Sequence, residues 1–233
     1  MLNKDIRKKV IVTADDFGIS EIANRKILEL AESKKVDRVA IMASGILPQE
    51  DVNALLHSGV KLDIHLNMTE KFKGSRKLKE GIVKRSSLFL ARYIGRQISA
   101  SKVKKEWEEQ IQKFKEIIGR YPDGLNSHQH IHYYPSYFKV AAELSEKYSI
   151  PFIRCGKKGF LGKINGVKQI LAVLRRVDMR YLKKNRLQTS NYLVSLDWIN
   201  NFGEFLNNLP DGTIEITFHP ERREEYKIIN NYF

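Results

Sequence analysis

The chain has 233 residues, of which 42% are hydrophobic, 10% aromatic and 29% charged, and its 41 Lys and Arg against 27 Asp and Glu give a net charge of +14. This composition excludes a disordered chain and a coiled coil, and no apolar run approaches the roughly 20 residues that a bilayer span needs. Cys155 is the single cysteine, which excludes an intrachain disulfide and a multi-cysteine metal site; with no signal-peptide pattern near the N-terminus, the cytoplasm is the expected compartment.

In chain order, residues 9–14 predict a strand, and Ser20 is placed to cap a helix running to about residue 33. Residues 37–44 predict a second strand. Pro48 suits the first turn of a helix ending near His57, and residues 60–67 predict a third strand. Ser101 is placed to cap a helix that Gly119 stops. Residues 124–132 predict a fourth strand, 136–148 a helix and 150–155 a fifth strand. Residues 192–196 predict a sixth strand and 198–208 a helix, and Asp211-Gly212 turns into a seventh strand over 213–219. Seven strands alternating mostly with helices predict an α/β fold on a parallel sheet, taken as one domain over residues 1–233. Periodicity does not separate a barrel from an open doubly wound sheet. No Gly-rich dinucleotide or phosphate-binding motif follows any strand.

The positive charge is concentrated. Residues 71–96 carry nine Lys and Arg against Glu80, and residues 154–186 carry eleven against Asp178, so the rest of the chain is net −4. In the second segment Ile164, Val167, Ile170, Leu171, Leu174, Val177, Tyr181 and Leu182 follow helical spacing. Lys168, Arg175, Arg176, Arg180 and Lys183 fall opposite them, which predicts an amphipathic basic helix. Such a helix can pack on a core or lie on anionic headgroups. Both segments follow strands, the third and the fifth, so both are expected on the face where a parallel α/β fold builds its site.

Acids and imidazoles recur at strand ends. Asp15 and Asp16 end the first strand, His65 lies near the end of the third, His128, His130 and His132 lie along the fourth, and His219 ends the seventh; only His57 lies elsewhere. Taken singly, each has a bland reading: the acids can cap the next helix and a histidine can be an ordinary hydrogen-bonding group. Jointly they predict one pocket, because the C-terminal ends of parallel strands share a face. Within a strand His128, His130 and His132 would point to one side. Imidazoles with a carboxylate suit zinc and other transition metals, while carboxylates with water suit magnesium. The chemistry that fits is metal-assisted hydrolysis, with one Asp on the cation and its neighbour free as a base.

The stretches TADDFGIS (13–20), IHLNMT (64–69), SHQHIH (127–132) and EITFHP (215–220) together resemble the YdjC-like carbohydrate deacetylase family, which includes chitooligosaccharide and hopanoid-type deacetylases. The resemblance spans residues 10–220. It implies a single (β/α) barrel-like domain related to polysaccharide deacetylases. It implies one divalent cation, zinc or magnesium, held by Asp16, His65 and His128. Asp15 looks like the general base and His219 like the general acid, with His130 and His132 lining the substrate pocket. The implied substrate is an N-acetylated amino sugar on an oligosaccharide, glycolipid or lipid-linked carrier, and the family suggests a homodimer. Three positions depart from the family pattern: Asp63 and Glu221 stand where Gly is common, and Asn126 where Asp is common.

The basic segments add the expectation of an anionic or lipid-linked substrate, or of peripheral contact with an anionic membrane beside the site. Two rivals remain at this level. One is another metal-dependent hydrolase on a similar barrel, acting on a phosphoester or cyclic amide. The other is a basic nucleic-acid-binding protein, which lacks a recognisable motif and leaves the strand-end set unexplained.

Overall fold

A computed structural model of the protein describes residues 3–68 and 99–233. The basic segment 71–96 and the last residue of the IHLNMT stretch lie outside the described residues. A short helix α1 (Lys4–Lys9) leads into the central strand β1 (Val10–Phe17), followed by α2 (Glu21–Glu32), β2 (Arg38–Ile41), α3 (Gln49–Ser58) and β3 (Lys61–Leu66). Then come α4 (Ala100–Ile118), β4 (Gly124–Ser127), a 3₁₀ turn (His128–Tyr133), α5 (Pro135–Lys147) and the two-residue strands β5 (Phe152–Ile153) and β6 (Gly159–Phe160). The chain ends with α6 (Gly166–Lys184), β7 (Tyr192–Ser195), a second 3₁₀ turn (Leu196–Trp198), α7 (Phe202–Asn207), β8 (Ile214–Phe218) and α8 (Arg223–Tyr232).

Helix ends follow local chemistry. The Ser20 hydroxyl accepts from the Ala23 amide and starts α2. Gly59 and Gly119 take left-handed conformations that stop α3 and α4. Ser99, not Ser101, caps α4, because its hydroxyl reaches the Lys102 amide.

The eight strands among the described residues are all parallel, in the order β5-β4-β3-β2-β1-β8-β7-β6. The α/β fold and parallel sheet match the sequence reading. β6 is the addition, too short to leave a pattern in the sequence. The sheet is strongly curled, and one side chain demonstrates it. Arg154, just past β5, donates to Asp15 on β1 and to Glu215 on β8. On a flat sheet those strands would lie roughly 19 and 24 Å from β5, at about 4.8 Å per strand, far beyond the reach of one side chain. Curling brings β5 round to the segment that leads into β7, which it meets through the isolated Phe152–Gln188 bridge. The result is a parallel half-barrel with helices packed outside.

Two departures flagged in the sequence now separate. Asp63 is fully buried and accepts from Nε and Nη2 of Arg38. A Cβ on Gly124, its partner across the β3–β4 ladder, would lie 2.5 Å from Asp63 Oδ1 and 2.6 Å from Arg38 Nη2. Gly124 therefore makes room for a buried ion pair, and Asp63 belongs to the packing of the barrel rather than to the cleft. Glu221, by contrast, lines the cleft described next.

Candidate metal centre

The centre is built at the C-terminal strand ends. In a regular strand, neighbours such as Asp15 and Asp16 would face opposite sides. The β1–β2 register slips between Ala14 and Phe17, and Asp16 takes a left-handed φ of 70°, a conformation that Asp tolerates better than most residues. That bulge lets both acids line one cleft of about 280 Å³.

Asp16, His65 and His128 offer ligand atoms that all lie within 4.8 Å of one another. Asp16 Oδ1 is 3.1 Å from His65 Nε2 and 3.0 Å from His128 Nδ1, and the two rings meet edge to face. Donors sharing one tetrahedral zinc at about 2.1 Å would lie roughly 3.4 Å apart, close to this spacing. His65 Nδ1 is engaged by Asn126 Oδ1 across the β3–β4 ladder. That contact assigns the proton to Nδ1 and leaves Nε2 with its lone pair in the cleft. In that tautomer Nε2 has no proton to give the nearby Asp16 oxygen, so it stands as a buried nitrogen without a hydrogen-bond partner. An orphaned imidazole nitrogen, a carboxylate and a second imidazole aimed at one point fit a divalent cation. Burial opposes ionisation of Asp16, but the imidazoles of His128 and His65 hold its carboxyl well below the usual range.

Asp15 is separated electrostatically from its neighbour. Both its oxygens accept from the Arg154 guanidinium at 2.8 Å. Burial would raise its pKa, but Arg154, with His65 and His219 adding to it, holds the carboxyl below its usual value. Arg154 also donates from Nε to Glu215, which accepts in turn from Thr13. Burial pushes Glu215 up despite that partner, and its Oε2 is left unpaired.

His219, one residue beyond β8, places Nε2 4.0 Å from Asp16 Oδ2. Glu225 on α8 accepts from the His219 amide at 2.7 Å and lies 3.5 Å from its Nδ1. Burial alone would lower the imidazole pKa; Glu225 and Asp16 together raise it to about 9.

The run 128–132 differs from the strand expected there. β4 ends at Ser127, and Gln129 and His130 both adopt left-handed backbone, with φ of 55° and 56°. The three histidines therefore do not share a face. His128 joins Asp16, and His130 lines the cleft beside Trp198, with burial, then Arg154, lowering its pKa to about 3. His132, expected to line the pocket, does not: it is fully buried behind the wall. Its Nε2–H donates to the Arg154 carbonyl and its Nδ1 accepts from the Ser127 hydroxyl. Sequence reasoning missed Arg154, Glu215, Glu225 and Gln129. Its place in the basic segment hides Arg154, although an arginine inside the apolar stretch PFIRC is itself a sign of a buried ion pair.

Fold and centre together define a class: parallel α/β half-barrel proteins with an Asp-His-His candidate metal site at the strand ends. Within that class the chain belongs to the YdjC-like protein family, whose model matches residues 9–231. It is 28% identical over 231 residues to a carbohydrate deacetylase of Halalkalibacterium halodurans, covering 93% of this chain and 86% of that protein. It is 29% identical over 146 residues to a chitooligosaccharide deacetylase of Proteus mirabilis, covering 61% and 57%. A carbohydrate deacetylase of Xenopus laevis is 27% identical over 161 residues, 66% of this chain and 52% of that protein; the chain spans about half the length of the vertebrate relatives it matches. Among solved structures, a candidate cellobiose-phosphate cleavage protein from Enterococcus faecalis V583 shares the fold, with a TM-score of 0.66 at 18% identity over 94% of this chain and 89% of that one.

Proposed function

We propose that the protein is a metal-dependent hydrolase that removes the acetyl group from an N-acetylated amino sugar. The observation that carries this reading is that Asp15 and His219 share one cleft with the Asp16, His65 and His128 cluster. Family membership and the named activities of the relatives support the same choice.

Asp16, His65 and His128 are the residues that would hold the cation. When bound, the cation would polarise the acetamide carbonyl and acidify water. Asp15, ionised and clamped by Arg154, takes a proton from the attacking water as its oxygen bonds to the acetyl carbon. His219, protonated at neutral pH, gives its proton to the sugar nitrogen as the C–N bond breaks. Acetic acid and the free amine leave, the acid ionising to acetate in solvent, and the proton on Asp15 is lost to solvent while His219 regains one. Gln129 Oε1 and His130 Nδ1 are buried without partners and are suited to hydrogen-bond the sugar or its acetamide. Trp198 supplies an apolar wall for a sugar face.

The test is mass spectrometry of acetylated amino-sugar oligosaccharides and glycolipids after incubation with the protein. Loss of one acetyl group is expected with zinc added after chelation, and none with chelator alone or with Asp16→Asn. Turnover of a phosphoester or cyclic amide, with every acetylated sugar untouched, would replace the proposal with the rival hydrolase.

A further inference from the structure

The basic helix expected from the sequence forms as α6 (Gly166–Lys184), but its apolar residues do not all turn inward. Leu171, Asp178 and Leu182 are buried. Ile164, just ahead of the helix, is 78% exposed, and Ile170 and Val173 are 47% and 61% exposed. Val167, on the same turns, lines the metal-centre cleft. The first half of α6 thus carries large aliphatic side chains from the cleft mouth out into solvent.

Within residues 154–186 the exposed charge has one sign, and the acids nearest the stripe, Asp197 and Glu221, lie in the cleft that Val167 lines. Of the eleven Lys and Arg in residues 154–186, Arg154 is buried in the ion network, which leaves ten; the single acid, Asp178, is fully buried. Among the described residues, no carboxylate forms an ion pair with any of the ten. Arg176 and Arg180 are exposed further along the same helix, and Lys183 and Lys184 follow. A nucleic-acid surface needs the cations but not protruding aliphatics. A second copy of the same face would set its exposed arginines, Arg176 and Arg180, against their own like charges. Aliphatic side chains set among unpaired cations match the interface of an anionic bilayer, where the former enter the acyl boundary and the latter meet headgroups.

We propose that the α6 face docks the protein on anionic membrane surfaces, with the cleft mouth at the lipid boundary. This goes beyond the hydrolase reading and does not depend on it, because binding is read without turnover.

The experiment is co-sedimentation of the full chain with phosphatidylcholine vesicles, with and without phosphatidylglycerol. Binding that requires phosphatidylglycerol and weakens with salt is expected. The double variant Ile170→Glu with Val173→Glu should lose about 10-fold or more in vesicle affinity, and Arg176→Glu with Arg180→Glu should lose the dependence on phosphatidylglycerol. All four positions are solvent-facing, and a thermal melt matching the parent identifies which pairs are folded; either folded pair suffices. No vesicle binding, or undiminished binding by the folded variants, overturns the proposal. So does a salt-sensitive RNA shift, or a dimer broken by the aliphatic variants, in the absence of vesicle binding.

Discussion

Asp15 and Asp16 are neighbours in sequence with opposite surroundings: one faces a guanidinium, the other two imidazoles. Their variants should therefore part. Asp15→Asn keeps the shape of the side chain and removes the base. Turnover is expected to fall by about 100-fold or more with zinc content unchanged by elemental analysis, whereas Asp16→Asn should lose zinc and turnover together. Retained turnover in a zinc-replete Asp15→Asn protein would remove Asp15 from its role. Asp178 makes a separate prediction. It is fully buried on α6 with neither oxygen paired, and burial raises its pKa to about 8. Its proton is therefore held in the folded chain and released near the ordinary carboxyl value of 3.8 when unfolded. Stability from this group is complete below pH 4, declines as pH rises, and is lost above pH 8, a change of up to a few kcal/mol. Asp178→Asn should flatten that decline in urea melts between pH 5 and 8; an equally steep decline in the variant would reject the assignment.

At the scale of elements, the strand ends were legible because hydrophobic runs mark parallel strands and topology fixes which ends meet. His65 and His219 follow from that rule alone. The stretch after β4 was not legible. His-x-His-x-His has the period of a strand, and nothing local announces that the backbone turns left-handed at Gln129 and His130. Arg154 is hidden for another reason: a charge in sequence carries no depth, and its basic neighbours mask it. The left-handed pair is a place of stored strain, on the order of 1 kcal/mol per non-glycine residue. Gln129→Gly should keep or slightly raise stability in denaturant titration, while Gln129→Val should lose about 1–2 kcal/mol. If both behave alike, the turn is not under the strain its φ values indicate.

Across the whole molecule, the buried charges join parts of the sheet that the hydrogen-bond ladder does not. Arg154 ties the β5 edge to β1 and β8 through the barrel interior. Arg154→Met would strand two buried carboxylates and should cost about 3–5 kcal/mol. Adding Glu215→Gln should recover part of that loss, because one stranded acid is gone. An additive loss in the double variant would mean that the two residues act independently.

The next residue along the chain offers a handle on the same region. Cys155 is wholly inside the protein, and burial keeps its sulfur in the unreactive thiol form. A thiol-specific dye can therefore mark this chain only while the seam between β5 and the segment that leads into β7 is parted. Its rate of incorporation would serve as a clock for breathing at that seam, read from the natural sequence with no label engineered in.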